Sequence, residues 1–225
     1  MAADAMKNKH LKFPLLNAVA ERHARGVITE GARVMRLITG FEPFTTGQGL
    51  VLEHNPTADI ARNVARATPD IHCAVLPVSY RRTRDALHEA WVTAKTQVWL
   101  GLGYAPHRTT LDVEMVALNL EHAESGDNDG DAPTMRSIIV EAPLAYRWPV
   151  ESDRLLHTLE NHGCPGRINL HAGAFLCNQT FFLGCHAQAQ GQLTFAGFIH
   201  VPPMSNYSAL ENALTQFLLD TAVST

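Results

Sequence analysis

The sequence predicts an α/β fold: a single-domain, three-layer α/β/α sandwich on a mostly parallel, twisted sheet. Three observations predict it. Short apolar runs of β type alternate with helical segments of about 10 to 15 residues, the pattern of a sheet covered on both faces. The 225 residues are 46% hydrophobic and 18% charged, which supplies one substantial core at the upper end of single-domain size. No internal repeat, low-complexity tract or linker divides the chain.

In chain order, the first 33 residues are polar, basic and without a clear period, and read as a partly ordered extension. The folded body is expected over residues 34–225. "VMRLITGF" (Val34 to Phe41) is a β-type run, and "NPTADIARNVARAT" is a helix starting around Asn55 to Thr57, with Pro56 in its first turn. "IHCAVLPVSY" reads as a strand stopped near Pro77 and "RRTRDALHEAWVTAK" as a helix, with Leu87 and Trp91 on one face. "TQVWLGLGYAP" is a buried strand followed by a loop, and "TTLDVEMVALNL" is extended. After "RSIIVEAP" come a helix over "PVESDRLLHTLENHG" ending at Gly163, the short run "GRINL", a helix carrying Cys177, the strand "LTFAGFIHVP" and a last helix, "SALENALTQFLLDTAV".

Composition excludes several functions. A net charge of −4 with interspersed signs leaves no polybasic stripe, and three Trp and four Tyr offer few stacking surfaces, so no nucleic-acid partner is expected. No apolar run approaches the roughly 20 residues of a membrane helix. Near the N-terminus Pro14 and Asn17 interrupt the apolar patch, against a secretory signal. Cys73, Cys164, Cys177 and Cys185 are sparse and irregularly spaced, which fits reduced thiols in a cytoplasm.

In such sheets the reacting groups lie beyond the carboxyl ends of strands. That rule selects Phe41 to Phe44, Tyr104 to Arg108, Ala172 to Cys177 and His200. Cys177, in "HAGAFLCN", is either a buried core thiol or a nucleophile at a helix start, where the N-terminus or an imidazolium would lower its pKa. His200 is either a hydrogen-bonded strand-end residue or the base for that thiol. Glu114, among Val113, Met115 and Val116, either faces solvent or orients the imidazole. No HxH or HxxxH pair is present, so no metal is expected. Two motifs are decoys. "GLGYAP" has Pro106 where a dinucleotide loop needs its third glycine, and "DNDGD" (Asp127 to Asp131) lacks the calcium-loop spacing and reads as a solvated turn.

Taken in order, "ITGFEPF", "NPT", "VLPVSY", "LGYAPHR", "VEMVALN", "GDN", "APLAY", "HAGAFLCN" and "GFIHVP" resemble the pyroglutamyl-peptidase I (pyrrolidone carboxyl peptidase) family of cysteine exopeptidases, from about Met35 to the C-terminus. The resemblance implies a phosphorylase/hydrolase-like sandwich that removes an N-terminal pyroglutamyl residue from peptides through a thioester. It implies Cys177 as nucleophile, His200 as general base and later acid, and Glu114 as the imidazole-orienting third member. Phe41 and Phe44 would flank the lactam ring, with backbone at Gly103, Tyr104 and on to Pro106 meeting its amide. No metal or cofactor is implied; a homodimer or homotetramer is.

The sequence departs from the family in several places. Glu124 stands where bacterial relatives usually carry an arginine, the loop after Phe44 is longer, with Thr45 and Thr46 for the usual Gly-Gly, and Tyr104 and His107 are bulky. His171 stands where the family more often has another small or polar residue, two places before the glycine. "MRLITGF" would make a normal family start, so residues 1–34 read as a mis-assigned start or a dispensable arm. Two alternatives remain at this stage: a related cysteine amidohydrolase or peptidase accepting another small N-terminal group, and a non-catalytic homologue.

Overall fold

A computed structural model of the protein describes residues 33–45, 49, 51–148 and 151–222. The extension expected over residues 1–33 falls outside them except for Arg33. The strands are β1 (Arg36–Phe41), β2 (Phe44–Thr45), β3 (Val51–Leu52), β4 (Ile71–Leu76), β5 (Val98–Tyr104), β6 (Leu111–Leu118), β7 (Ala145–Arg147), β8 (Gly166–His171) and β9 (Phe195–Val201). The helices are α1 (Pro56–Arg66), α2 (Tyr80–Thr93), α3 (Glu151–Asn161), α4 (Leu176–Ala189) and α5 (Ser208–Asp220).

A seven-stranded sheet runs β4-β1-β5-β9-β6-β7, with β8 also pairing β6. Helices α1, α3 and α5 pack together over one face, and α2 and α4 over the other, as the alternation requires. The apolar side chains these layers bury, among them Trp99, Phe181, Phe195, Phe198 and Phe217, form one core. "RSIIVEAP" contributes no strand to the sheet; Ile138 is buried while Val140 stands in solvent.

The sheet is mixed in one place that matters. β1, β4, β5 and β9 run parallel, whereas β6 is antiparallel to β9 and β8 is parallel to β6. The cause is connection length: only residues 105–110 join β5 to β6, too few for a crossover, which takes a dozen or more residues. The carboxyl end of β8 therefore does not share the edge where β1, β5 and β9 end. That corrects the expectation that strand ends alone bring Cys177 to His200; the loop 172–175 and helix α4 do so instead.

Local contacts explain the elements. Asn55 caps α1, its Oδ1 accepting from the Thr57 N–H at 3.2 Å, while its Nδ2 donates to the Glu42 carbonyl at 3.0 Å. Thr57 Oγ1 accepts from the Phe41 N–H at 3.1 Å. One helix start thus grips both sides of the turn after β1. Gly40 permits the approach, since a Cβ there would lie 2.3 Å from the Thr57 carbonyl oxygen. The "DNDGD" turn is less solvated than its composition implies: Asp127 is 8% exposed. Its carboxylate accepts from the N–H groups of Tyr80, Asp129 and Asp131, and Asn128 Nδ2 donates to the Pro43 carbonyl at 3.0 Å.

The face of β5 that meets α4 is crowded. Trp99 is fully buried, its indole N–H donating to Thr39 Oγ1 at 3.1 Å. A Cβ on Gly184 of α4 would lie 2.2 Å from Trp99 Cζ3. Alanine is worth about 1 kcal/mol more than glycine inside a helix, but overpacking a fixed core costs about 1–3 kcal/mol. Gly184→Ala is therefore expected to lower the midpoint of chemical denaturation; a rise would contradict this packing.

Candidate active site

Four residues singled out in the sequence converge on one point. A Cβ built on Gly103, near the end of β5, would lie 2.7 Å from Cys177 Sγ and 3.0 Å from His200 Cδ2. The thiol of α4 and the imidazole of β9 therefore face each other across a glycine that leaves them room. Cδ2 is the ring carbon bonded to Nε2, so that edge of the imidazole is turned toward Gly103, the point the sulfur also approaches. The other ring nitrogen, Nδ1, lies 2.6 Å from Glu114 Oε1. A carboxylate only accepts, so Nδ1 carries the proton and neutral His200 keeps its lone pair on Nε2.

Glu114 has no solvent exposure, which settles the sequence ambiguity in favour of a partnered carboxylate. Asn169 Nδ2 donates to its Oε2 at 2.8 Å, and Arg108 Nη1 to its Oε1 at 2.8 Å. Burial works to raise the Glu114 carboxyl, but these bonds, that from His200 and the Arg108 charge outweigh it and hold the group below the usual carboxylate range. Burial lowers His200, with Arg108 adding to the effect and Glu114 opposing it. The imidazole is thus poised as a neutral base.

The thiol differs from the sequence expectation. Burial, with the nearby Glu114 carboxylate, pushes Cys177 up to about 12, Arg108 pulling the other way. A helix start does not by itself yield a thiolate here; the resting pair is a neutral thiol beside a neutral imidazole. Cys177 lies in the first turn of α4, whose N-cap Phe175 provides no side-chain cap, so the N–H groups of that turn are offered to an anion.

Two features fix the approach of this turn. Asn178 Oδ1 accepts from the Leu118 N–H at 2.9 Å, and its Nδ2 donates to the carbonyls of Leu118 and Leu120 at 2.8 and 2.9 Å. The side chain behaves like a short strand added to the end of β6, tying the Cys177 helix to the Glu114 strand. His122 N–H also donates to the Ala174 carbonyl at 2.9 Å. His171, unexplained by the family pattern, takes the Gly173 N–H on Nδ1 at 3.1 Å. Gly173 needs its positive φ of 83° for that turn.

The remaining sequence candidates are dispersed. Phe41 is 4% exposed and belongs to the core, while Phe44 on β2 is half-buried. Tyr104 alternates with Gly103 along β5, so its ring lies on the opposite face of the sheet from Cys177. Burial raises its hydroxyl pKa, and the nearby Tyr207 adds to the effect. Sequence reasoning passed over Asn169, Asn178 and the pairing of Arg108. One signal was available for Asn169: it alternates with Ile168 and Leu170 in a strand, which places a polar group on one face. Two surface clefts, one around His54, Asn63, Tyr207 and Glu211 and one around His72, Cys73 and Ala90, contain none of the converging residues.

Gly103→Ala is expected to force the Cys177 sulfur or the His200 ring aside and to slow alkylation of Cys177 by iodoacetamide, read by peptide mass mapping. Unchanged alkylation would mean that the close approach has no consequence. Asn178→Ala leaves the carbonyls of Leu118 and Leu120 short of a donor and is expected to cost about 1–3 kcal/mol in denaturant.

Comparison with known proteins identifies the family. A sequence model of the family described as pyroglutamyl peptidase matches residues 34–225. The pyrrolidone-carboxylate peptidase of Thermococcus litoralis is 36% identical over 170 residues, spanning 74% of this chain and 75% of that protein. That of Pyrococcus furiosus is 32% identical over 170 residues, spanning 74% and 79%. Among solved structures, the pyrrolidone carboxyl peptidase of Thermococcus litoralis superposes with a TM-score of 0.74 at 32% identity, covering 83% of this chain and 94% of that one. From residue 34 onward, sequence and fold agree: the chain belongs to the pyroglutamyl peptidase family of cysteine-type hydrolases.

Proposed function

We propose that the chain removes an N-terminal pyroglutamyl residue from peptides through a thioester on Cys177. One observation carries the reading: Cys177 Sγ and the Nε2 edge of His200 crowd the same point above Gly103, while His200 Nδ1 is held at 2.6 Å by Glu114. His200 Nε2 takes the thiol proton as sulfur attacks the pyroglutamyl carbonyl carbon. The imidazolium that forms is stabilised by Glu114. Backbone N–H groups at the uncapped start of α4 hold the oxyanion. Collapse breaks the C–N bond, and His200 returns its proton to the departing amine. Water, deprotonated by the same imidazole, then hydrolyses the thioester, releasing pyroglutamate and a peptide one residue shorter.

A neutral lactam offers no charge to grip, so the ring is selected by apolar faces and amide hydrogen bonds. Phe44, half-buried on β2, and Phe41, buried at the end of β1, are the aromatic surfaces in this reading. Gly103 and Tyr104 contribute backbone, the Tyr104 side chain being turned to the far face. The catalytic domain is residues 34–225, with residues 1–33 an extension to it. The same reading has the enzyme in a cytoplasm, where its four unpaired thiols stay reduced. It works there as a homodimer or homotetramer. No helix among the described residues is long and apolar enough to cross a membrane.

Freshly reduced protein is expected to turn over pyroglutamyl-aminomethylcoumarin, and Cys177→Ala to lose at least about a thousandfold in kcat/KM. No turnover by the wild type, alongside turnover of another blocked N-terminal residue, would move the specificity elsewhere. Turnover that survives Cys177→Ala would remove the mechanism. Because His200 is held below its ordinary value of 6.5, the midpoint of the acidic limb of kcat/KM is expected to lie below pH 6.5, where the imidazole protonates.

A further inference from the structure

Behind the Glu114–His200 pair lies a second layer of charge that the proposed mechanism does not use. Asp112, 1% exposed, sits two residues before Glu114 on β6 and therefore on the same face. It is directly opposite His200 in the antiparallel register with β9. Two buried carboxylates on one face would repel, and one would be driven to keep a proton. Arg108, from the loop before β6, stands between them: its Nη1 lies 2.6 Å from Asp112 Oδ2 and 2.8 Å from Glu114 Oε1. Asp112 Oδ1 accepts from Arg167 Nε at 2.6 Å and from Thr110 Oγ1 at 3.2 Å. A chain of charge thus runs from exposed Arg167 through Asp112, Arg108 and Glu114 to the imidazole.

We propose that Arg108, held in place by Asp112 and Arg167, is a positioning residue for the Glu114–His200 pair, sharing the carboxylate oxygen that grips the imidazole. Glu114 Oε1 accepts from both His200 Nδ1 and Arg108 Nη1, so the guanidinium fixes that oxygen in place and weakens its pull on the imidazole proton. The inference rests on His200 acting as the base.

The charged and titratable groups facing His200 are Glu114 and Asp112 from β6, Arg108 from the loop and Cys177 from α4. Their signs differ, and this makes the test discriminating. Arg108 lowers His200, whereas Asp112 raises it. Arg108→Gln is therefore expected to move the acidic limb of kcat/KM to higher pH by about one unit, so that its loss against the wild type deepens toward about tenfold on the acidic limb and shrinks toward pH 8. Asp112→Asn is expected to move the limb to lower pH, and Arg108→Lys to restore most of the wild-type profile.

The same shifts are expected in the His200 ring resonance followed by NMR in 13C-histidine-labelled protein, assigned by its loss in His200→Gln. This readout needs no turnover, so it separates failure of this inference from failure of the proposed activity. Arg108→Gln and Asp112→Asn moving the His200 titration in opposite directions supports the positioning role. Lower stability in both with the titration unmoved, or a shift of the same sign in both, would reduce the network to a structural brace and overturn the inference. Should Arg108→Gln fail to fold, Arg108→Lys and Asp112→Asn carry the test, with identical titrations in both variants and the wild type as the refuting result.

Discussion

A carboxylate with no solvent exposure is the constraint around which this molecule is arranged. Taking an ionised carboxylate out of water costs several kcal/mol even after the protein relaxes, so Glu114 can stay charged only if donors surround it. Each donor comes from a different part of the chain: His200 from β9, Asn169 from β8 and Arg108 from the loop before β6. Strand β6 must therefore lie between β8 and β9, as the pairing has it. Its reversal relative to β9 follows from the short connection that precedes it. The local polarity of the sheet and the charge of one side chain satisfy the same requirement.

The thiol side depends on absence rather than charge. Gly103, Gly101 and Gly184 line the region where β5 meets α4, and an added Cβ at any of them would come within 2.7 Å of Cys177, Phe198 or Trp99 side-chain atoms. Close approach lets the helix carry its first turn to the imidazole, and Asn178 fixes the helix along its own axis by bonding the end of β6. Burial keeps the resting thiol neutral, so the proposed mechanism draws its reactivity from proton transfer to His200.

Much of the architecture was legible in the sequence because apolar periodicity reports burial directly. The runs that became β1, β4, β5 and β9, and the helices from Pro56, Tyr80, Glu151 and Ser208, stand close to where their patterns place them. Strand direction was harder, since an apolar run reads alike both ways; the brevity of residues 105–110 was the clue to β6. In the site, Cys177, His200 and Glu114 were legible through the ordered resemblance to the family, each alone having a plainer reading. Arg108 and Asp112 were not, because a charged side chain near a loop usually faces water, and only the folded register discloses that these gather around a buried carboxylate; Asn169 showed only as a polar residue between apolar strand neighbours. The helix-start argument for a lowered thiol failed on magnitude, desolvation outweighing the turn's N–H groups.

The turn that carries Phe41 and Phe44 is held from both flanks, by Asn55 and Thr57 on one side and by Asn128 on the other. Beyond it, Phe44 pairs with Leu52 and Thr45 with Val51, so the segment they enclose begins and ends at fixed positions. Closing a longer segment between fixed ends costs little, about 0.6 kcal/mol for each doubling of its length. Evolution or a protein engineer therefore has a module here: inserts grafted between Thr45 and Val51 can vary this segment at little cost while the turn that carries Phe41 and Phe44 stays fixed.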